Sequence, residues 1–85
     1  MNGSNVFEMR QLSVLAYANG YTGWHYNLKD TSFALFIASL PHFFQPAHSL
    51  MSTGDTIMAS GEEGAMLLFI RKVNDTLTVS VMSST

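Results

Sequence analysis

Three imidazoles and six carboxylates are the groups of this 85-residue chain most able to do chemistry, and their spacing decides which chemistry is open to them. His42 and His48 bracket the pair Phe43-Phe44, while His25 stands apart. A zinc site wants thiolate, imidazole and carboxylate donors at short, motif-like spacing. The chain has no cysteine, and the nearest carboxylates, Asp30 and Asp55, are several residues away from the histidines. His42 and His48 therefore read as surface loop residues and His25 as lying on the outer face of a hairpin, with no metal and no cofactor implied. Carboxylate catalysis needs two acids that converge on a cleft whose surroundings drive their pKa values apart. Asp55, Glu62 and Glu63 are the clustered acids, but Gly61-Glu62-Glu63-Gly64 has the composition of a solvated turn. The sequence contains no Gly-x-Ser-x-Gly elbow, phosphate-cradling glycine loop or dinucleotide glycine pattern. These residues point away from an enzyme.

Aromatic residues are the better candidates. The stretch ANGYTGWHY, residues 18–26, holds Tyr21, Trp24 and Tyr26, and Phe43-Phe44 sits in a loop between Pro41 and Pro46. Two large rings in such a loop must either fold back over this chain's own core or be buried against another chain. The expected contact residues are accordingly Tyr21, Trp24, Tyr26, Phe43 and Phe44. Trp24 and Tyr26 also share one strand face, which fits a core role, while Gly23 on the other face would let a second backbone come close. The six methionines fit either an adaptable surface or filled core gaps.

Composition narrows the classes further. The chain is 47% hydrophobic and only 12% charged, far from a disordered composition, and is long enough for one core. That charged fraction is about half the usual ~25% of soluble domains and coats a monomer thinly, which favours self-association. Net charge is −2 and the four basic residues are Arg10, Lys29, Arg71 and Lys72, too few to neutralise a run of phosphates, so nucleic acid is excluded as a main partner. Residues 1–11 lack the basic start and apolar run of an export signal. Without such a signal, Asn2-Gly3-Ser4 and Asn74-Asp75-Thr76 carry no weight as glycosylation sites. The uncharged segment 31–54 is broken by Pro41, His42, Gln45, Pro46 and His48 before it reaches membrane-spanning length, so no membrane partner is expected.

The elements that must hold these residues follow from period and punctuation. Residues 1–10 show no period and read as a flexible or loosely docked leader, followed by one β-rich domain over 11–85. Residues 11–18, QLSVLAYA, are apolar on both parities and predict a strand buried on both sides. Asn19-Gly20 predicts a tight hairpin turn into a second strand with Trp24, Tyr26 and Leu28 on one face. Asp30-Thr31-Ser32 ahead of an apolar run predicts a short helix that stops at Pro41, with a further helical turn over 47–51. Ile57 and Ala59, then AMLLFIRKV, then Leu77, Val79 and Val81 alternating with polar residues, predict three closing strands. The expected class is mainly β, at the margin of α+β. It takes the form of a small antiparallel barrel or sandwich with one or two short helical segments around residues 31–51.

With LSVLAYANGYTGWHY on a hairpin and HFFQPAHSLMSTGDTIMAS ahead of two apolar strands, the sequence resembles a family of small phage- and prophage-associated bacterial proteins. That family carries an LAYANGFTLWHY-like block, a GYFxxA segment and a later GDxI. The matching residues are Leu15 to Tyr26, then His42-Phe43-Phe44 with Ala47 and Leu50, then Gly54-Asp55-Thr56-Ile57, within a span from Leu12 to Val81. The chain departs from the pattern at Pro41-His42 and is less acidic over 30–40. The resemblance implies a virion component such as a capsid decoration or tail-associated protein, located in the virion or the bacterial host cytoplasm, and it transfers no catalytic residue. Two functional expectations result. The first is a non-enzymatic assembly protein, a homo-oligomer with a trimer favoured, with a larger virion protein as a further partner. The second is a monomeric SH3-like or sandwich-like module that binds a peptide or a glycan through the aromatic hairpin.

Overall fold

The computed structural model describes residues 6–18 and 20–84. Strands β1 (Leu12–Ala18) and β2 (Tyr21–Lys29) are followed by helix α1 (Phe33–Ser39) and then by β3 (Thr56–Gly61), β4 (Gly64–Val73) and β5 (Thr76–Ser84). Short 3-10 turns occupy Met9–Gln11 and Gln45–Ala47. The chain is mainly β, as its alternation predicts, and two of its three short helical segments, α1 and Gln45–Ala47, fall inside 31–51. All five strands lie in one sheet in the order β1-β2-β3-β4-β5. Three neighbouring pairs are antiparallel, but β2 and β3 run parallel, with Trp24 opposite Ile57 and Tyr26 opposite Ala59. Parallel neighbours need a long crossover, and residues 30–55 supply it. The sheet is therefore open and mixed, and its second layer is this crossover instead of another sheet or a closed barrel wall.

The crossover begins where the sequence signals it. Ser32 accepts a hydrogen bond from the Leu35 amide at 3.2 Å and caps α1, and the exposed Glu63 carboxylate accepts from the Phe33 amide at 3.0 Å. Pro41 follows the end of the helix, and the second helical turn lies slightly earlier than expected, at Gln45–Ala47. Phe36, Phe44, Ala47 and Met51 of the crossover are buried against Tyr26, Leu28, Ile57, Ala59, Met66, Leu68, Ile70, Leu77 and Val79 of β2 to β5. Every one of those strand residues lies on the same sheet face, so strict alternation builds one core on one side. A buried side chain of this size contributes roughly 1.5–3 kcal/mol, which makes this layer the main source of stability.

One expectation is corrected by the layering. β1 was expected to be buried on both sides, yet its residues 13–17 are all exposed. It stands at the sheet edge beside β2 alone, where the crossover gives it little cover, and a register shift between Val14 and Ala16 bulges the strand at Leu15. Of the segment expected as a flexible or loosely docked leader over 1–10, residues 6–10 are described. Phe7 packs on the core with its ring centroid 5.5 to 5.8 Å from those of Tyr26, Phe43 and Phe44. Residues 1–5 lie outside the described residues, as does Asn19 of the expected hairpin turn. Gly20 next to it has φ +86°, a left-handed conformation suited to glycine in a tight turn.

Candidate interaction surface

The five expected contact residues separate into three groups. Trp24, Tyr26 and Phe44 are buried in this chain's own core and are closed to any partner of the folded chain. Phe43 is half-buried and packs edge-on against Tyr26, Phe36 and Phe44 at centroid distances of 5.1 to 5.5 Å. The pair Phe43-Phe44 thus folds back over the core, because the turn at Gln45–Ala47 directs the loop across the sheet. Tyr21 alone of the five is exposed, and part of its ring lies over Gly54. Gly54 has φ +101°, and a Cβ there would run into the Tyr21 ring, so this position is held to glycine twice over.

Asp55 organises the same end of the sheet and is far from Glu62-Glu63 in role. It is 3% exposed, and its carboxylate accepts three hydrogen bonds: from the Thr22 amide at 3.0 Å, the Ser52 amide at 3.1 Å and the Trp24 indole nitrogen at 3.2 Å. Its carbonyl accepts from the Ile70 amide at 3.2 Å. The Gly54-Asp55 turn is therefore a clamp that ties the start of β2, the end of the crossover and β4 together. Burial raises the Tyr26 hydroxyl above its ordinary pKa of 10.0, the hydrogen bond from the Glu8 amide pulls the other way, and the Glu8 charge adds to the rise. That hydroxyl accepts from the Glu8 amide at 3.0 Å and fastens the N-terminal segment to the core.

The histidines are dispersed. His25 lies on the outer sheet face with Nε2 2.7 Å from the Ser60 hydroxyl, and His42 Nδ1 is 3.3 Å from the Leu77 carbonyl. The His48 carbonyl accepts from Lys72 Nζ at 2.6 Å. No group of three His, Asp or Glu able to hold a metal ion converges among the described residues. A shallow groove among Asn27, Lys29, Asp30, Gly61 and Glu62 is open to solvent. Among the described residues no helix is long and apolar enough to cross a membrane.

What the fold does leave in solvent is one whole side of the sheet. By register, Gly23, His25, Met58, Leu67, Phe69 and Arg71 face away from the crossover, with Met58 opposite Leu67 and Thr56 opposite Phe69. Met58, Leu67 and Phe69 are 37%, 39% and 42% exposed, and they form an apolar centre on β3 and β4. On β1, Val14, Leu15 and Tyr17 are also exposed, but Val14 opposite Trp24 and Tyr17 opposite Thr22 belong to the crossover side of the sheet. The sequence held the signal for this surface. In β4 apolar residues occupy both parities, Met66-Leu68-Ile70 and Leu67-Phe69, but periodicity cannot say which parity the single crossover will cover.

The class these features define is a mainly β protein built on one open mixed sheet, covered on one side and bare on the other. Comparison with known proteins returns no matching family model, no matching curated protein and no matching solved structure.

Proposed function

We propose that this protein is a non-enzymatic assembly module that acts by associating with copies of itself, and that the copies together attach to a larger structure, of which a phage particle is the one its sequence resembles. One observation carries the reading: the sheet is covered on one side only, and large apolar side chains of neighbouring strands, Met58, Leu67 and Phe69, stand in solvent on the other. Apolar area of this kind on a sheet with few charges favours burial against protein. The polar groups found in the interior serve structure. Asp55 is saturated by backbone and indole donors, and the core aromatics pack on one another, which speaks against the rival reading of an aromatic hairpin that binds peptide or glycan. The test is the solution mass by light scattering on a size-exclusion column over a range of concentrations. A species heavier than the 9.4 kDa chain at micromolar concentration is expected. A monomer throughout, joined by a mass or chemical-shift response to added peptide or glycan, would replace this reading with the rival one.

A further inference from the structure

We propose that β1 is the surface through which two copies join, edge to edge and antiparallel, into one ten-stranded sheet; this rests on the self-association proposed above and names its partner as a second copy of this chain. The two edges of the sheet are treated differently. At β5 the Leu77 amide donates to the Gln45 side-chain oxygen at 2.8 Å and the Val79 amide to the Pro41 carbonyl at 2.9 Å. The crossover thus covers that edge at Leu77 and Val79. At the other end no strand lies against the far edge of β1 among the described residues. An open strand edge is a template for another strand, and proteins guard such edges with lysine, proline, charge or a bulge. Between Arg10 and Lys29 the chain has no charged residue and no proline, so the bulge at Leu15 is the one such guard on β1. Its side chains are apolar and open on both sides, Leu15 at 58% exposed and Tyr17 at 76%.

The occupant follows from charge and area. A strand without charges meets no repulsion from its own copy, and an antiparallel pair about a two-fold axis is self-complementary, each copy offering the other the same patch. Tyr17 alone exposes roughly 150 Å². With the free backbone edge and the flanks of Val14 and Leu15, the pair makes a small interface, at the low end of the specific range. Because the crossover covers β5 at Leu77 and Val79, growth through that edge is opposed and a pair is favoured over a filament. The two-fold lies perpendicular to the sheet, so both crossover layers fall on one side. Both bare faces then fall on the other, where the Met58, Leu67 and Phe69 patches of the two copies face the same way toward a larger partner.

The test compares the full chain with Leu15→Lys/Tyr17→Lys and with Phe69→Asp, by light scattering across concentrations and by amide hydrogen exchange. The expected result is a dimer of the unaltered chain whose β1 amides exchange more slowly as concentration rises. Two lysines set opposite their own copies weaken the dimer by about tenfold or more, while circular dichroism is unchanged because both sites are exposed. Phe69→Asp leaves the dimer intact. An oligomer abolished by Phe69→Asp and indifferent to the lysines, or a trimer whose β1 amides gain no protection, overturns the edge pairing and leaves self-association standing. A monomer at every concentration overturns both.

Discussion

Asp55 is the residue on which the chain spends most of its buried polarity. Its carboxylate satisfies the amides of Thr22 and Ser52 and the indole of Trp24, and no other residue in the described fold reaches all three. Leaving a buried donor without its acceptor costs about 1–3 kcal/mol, so Asp55→Ala, which strands two backbone amides and one indole N–H, is expected to destabilise by about 3–5 kcal/mol. Against the total of roughly 4–13 kcal/mol usual for a domain of this size, that is a large fraction. Urea unfolding followed by Trp24 fluorescence checks it, with a midpoint that falls at constant slope. A loss below about 1 kcal/mol would mean that the turn is held by its backbone bonds alone. The chemistry first suggested by Asp55 in the sequence is thus resolved as architecture. The carboxylate has no open side for a substrate.

At the scale of elements, the capping of β5 makes a separate claim. Gln45 uses both ends of its amide on the β4–β5 hairpin, donating to the Asp75 carbonyl and accepting from the Leu77 amide, each at 2.8 Å. Gln45→Ala is expected to cost about 1–2 kcal/mol and to speed exchange of the Leu77 amide, and by opening a second edge it should yield species larger than the dimer at high concentration. Unchanged exchange at Leu77 would show that the side chain is not what closes the edge. The elements themselves were largely legible. Ser32 at the helix start, Pro41 at its end, the inward set Trp24, Tyr26 and Leu28, and the alternation of Leu77, Val79 and Val81 all follow from local rules, which depend on neighbours a few residues away. Hidden from the sequence were the facts that depend on topology. The parallel join of β2 to β3 pushes β1 to the edge, which turned an apparently doubly buried strand into a bare one. The single crossover then decided that Phe43 and Phe44 go inside while Leu67 and Phe69 stay out.

For the molecule as a whole, size and surface act together. A chain of 85 residues buries only about 60–65% of its unfolded surface, so a folded monomer of this protein draws limited stability from its one-sided core. Association that involves only the folded state adds stability by mass action, in proportion to the logarithm of concentration. If β1 joins two copies, unfolding is coupled to dissociation, and the melting temperature must rise with protein concentration. Over a hundredfold range the expected rise is about 8 °C, given the entropy of unfolding of a pair this size. Differential scanning calorimetry at several concentrations measures it directly. Leu15→Lys/Tyr17→Lys should flatten the dependence while keeping the low-concentration melting temperature, because Leu15 and Tyr17 are exposed and add little to the monomer's core. A melting temperature that does not move with concentration in the unaltered chain would place its stability within the single copy, and the bare side of the sheet would then have to be explained by a partner of different sequence.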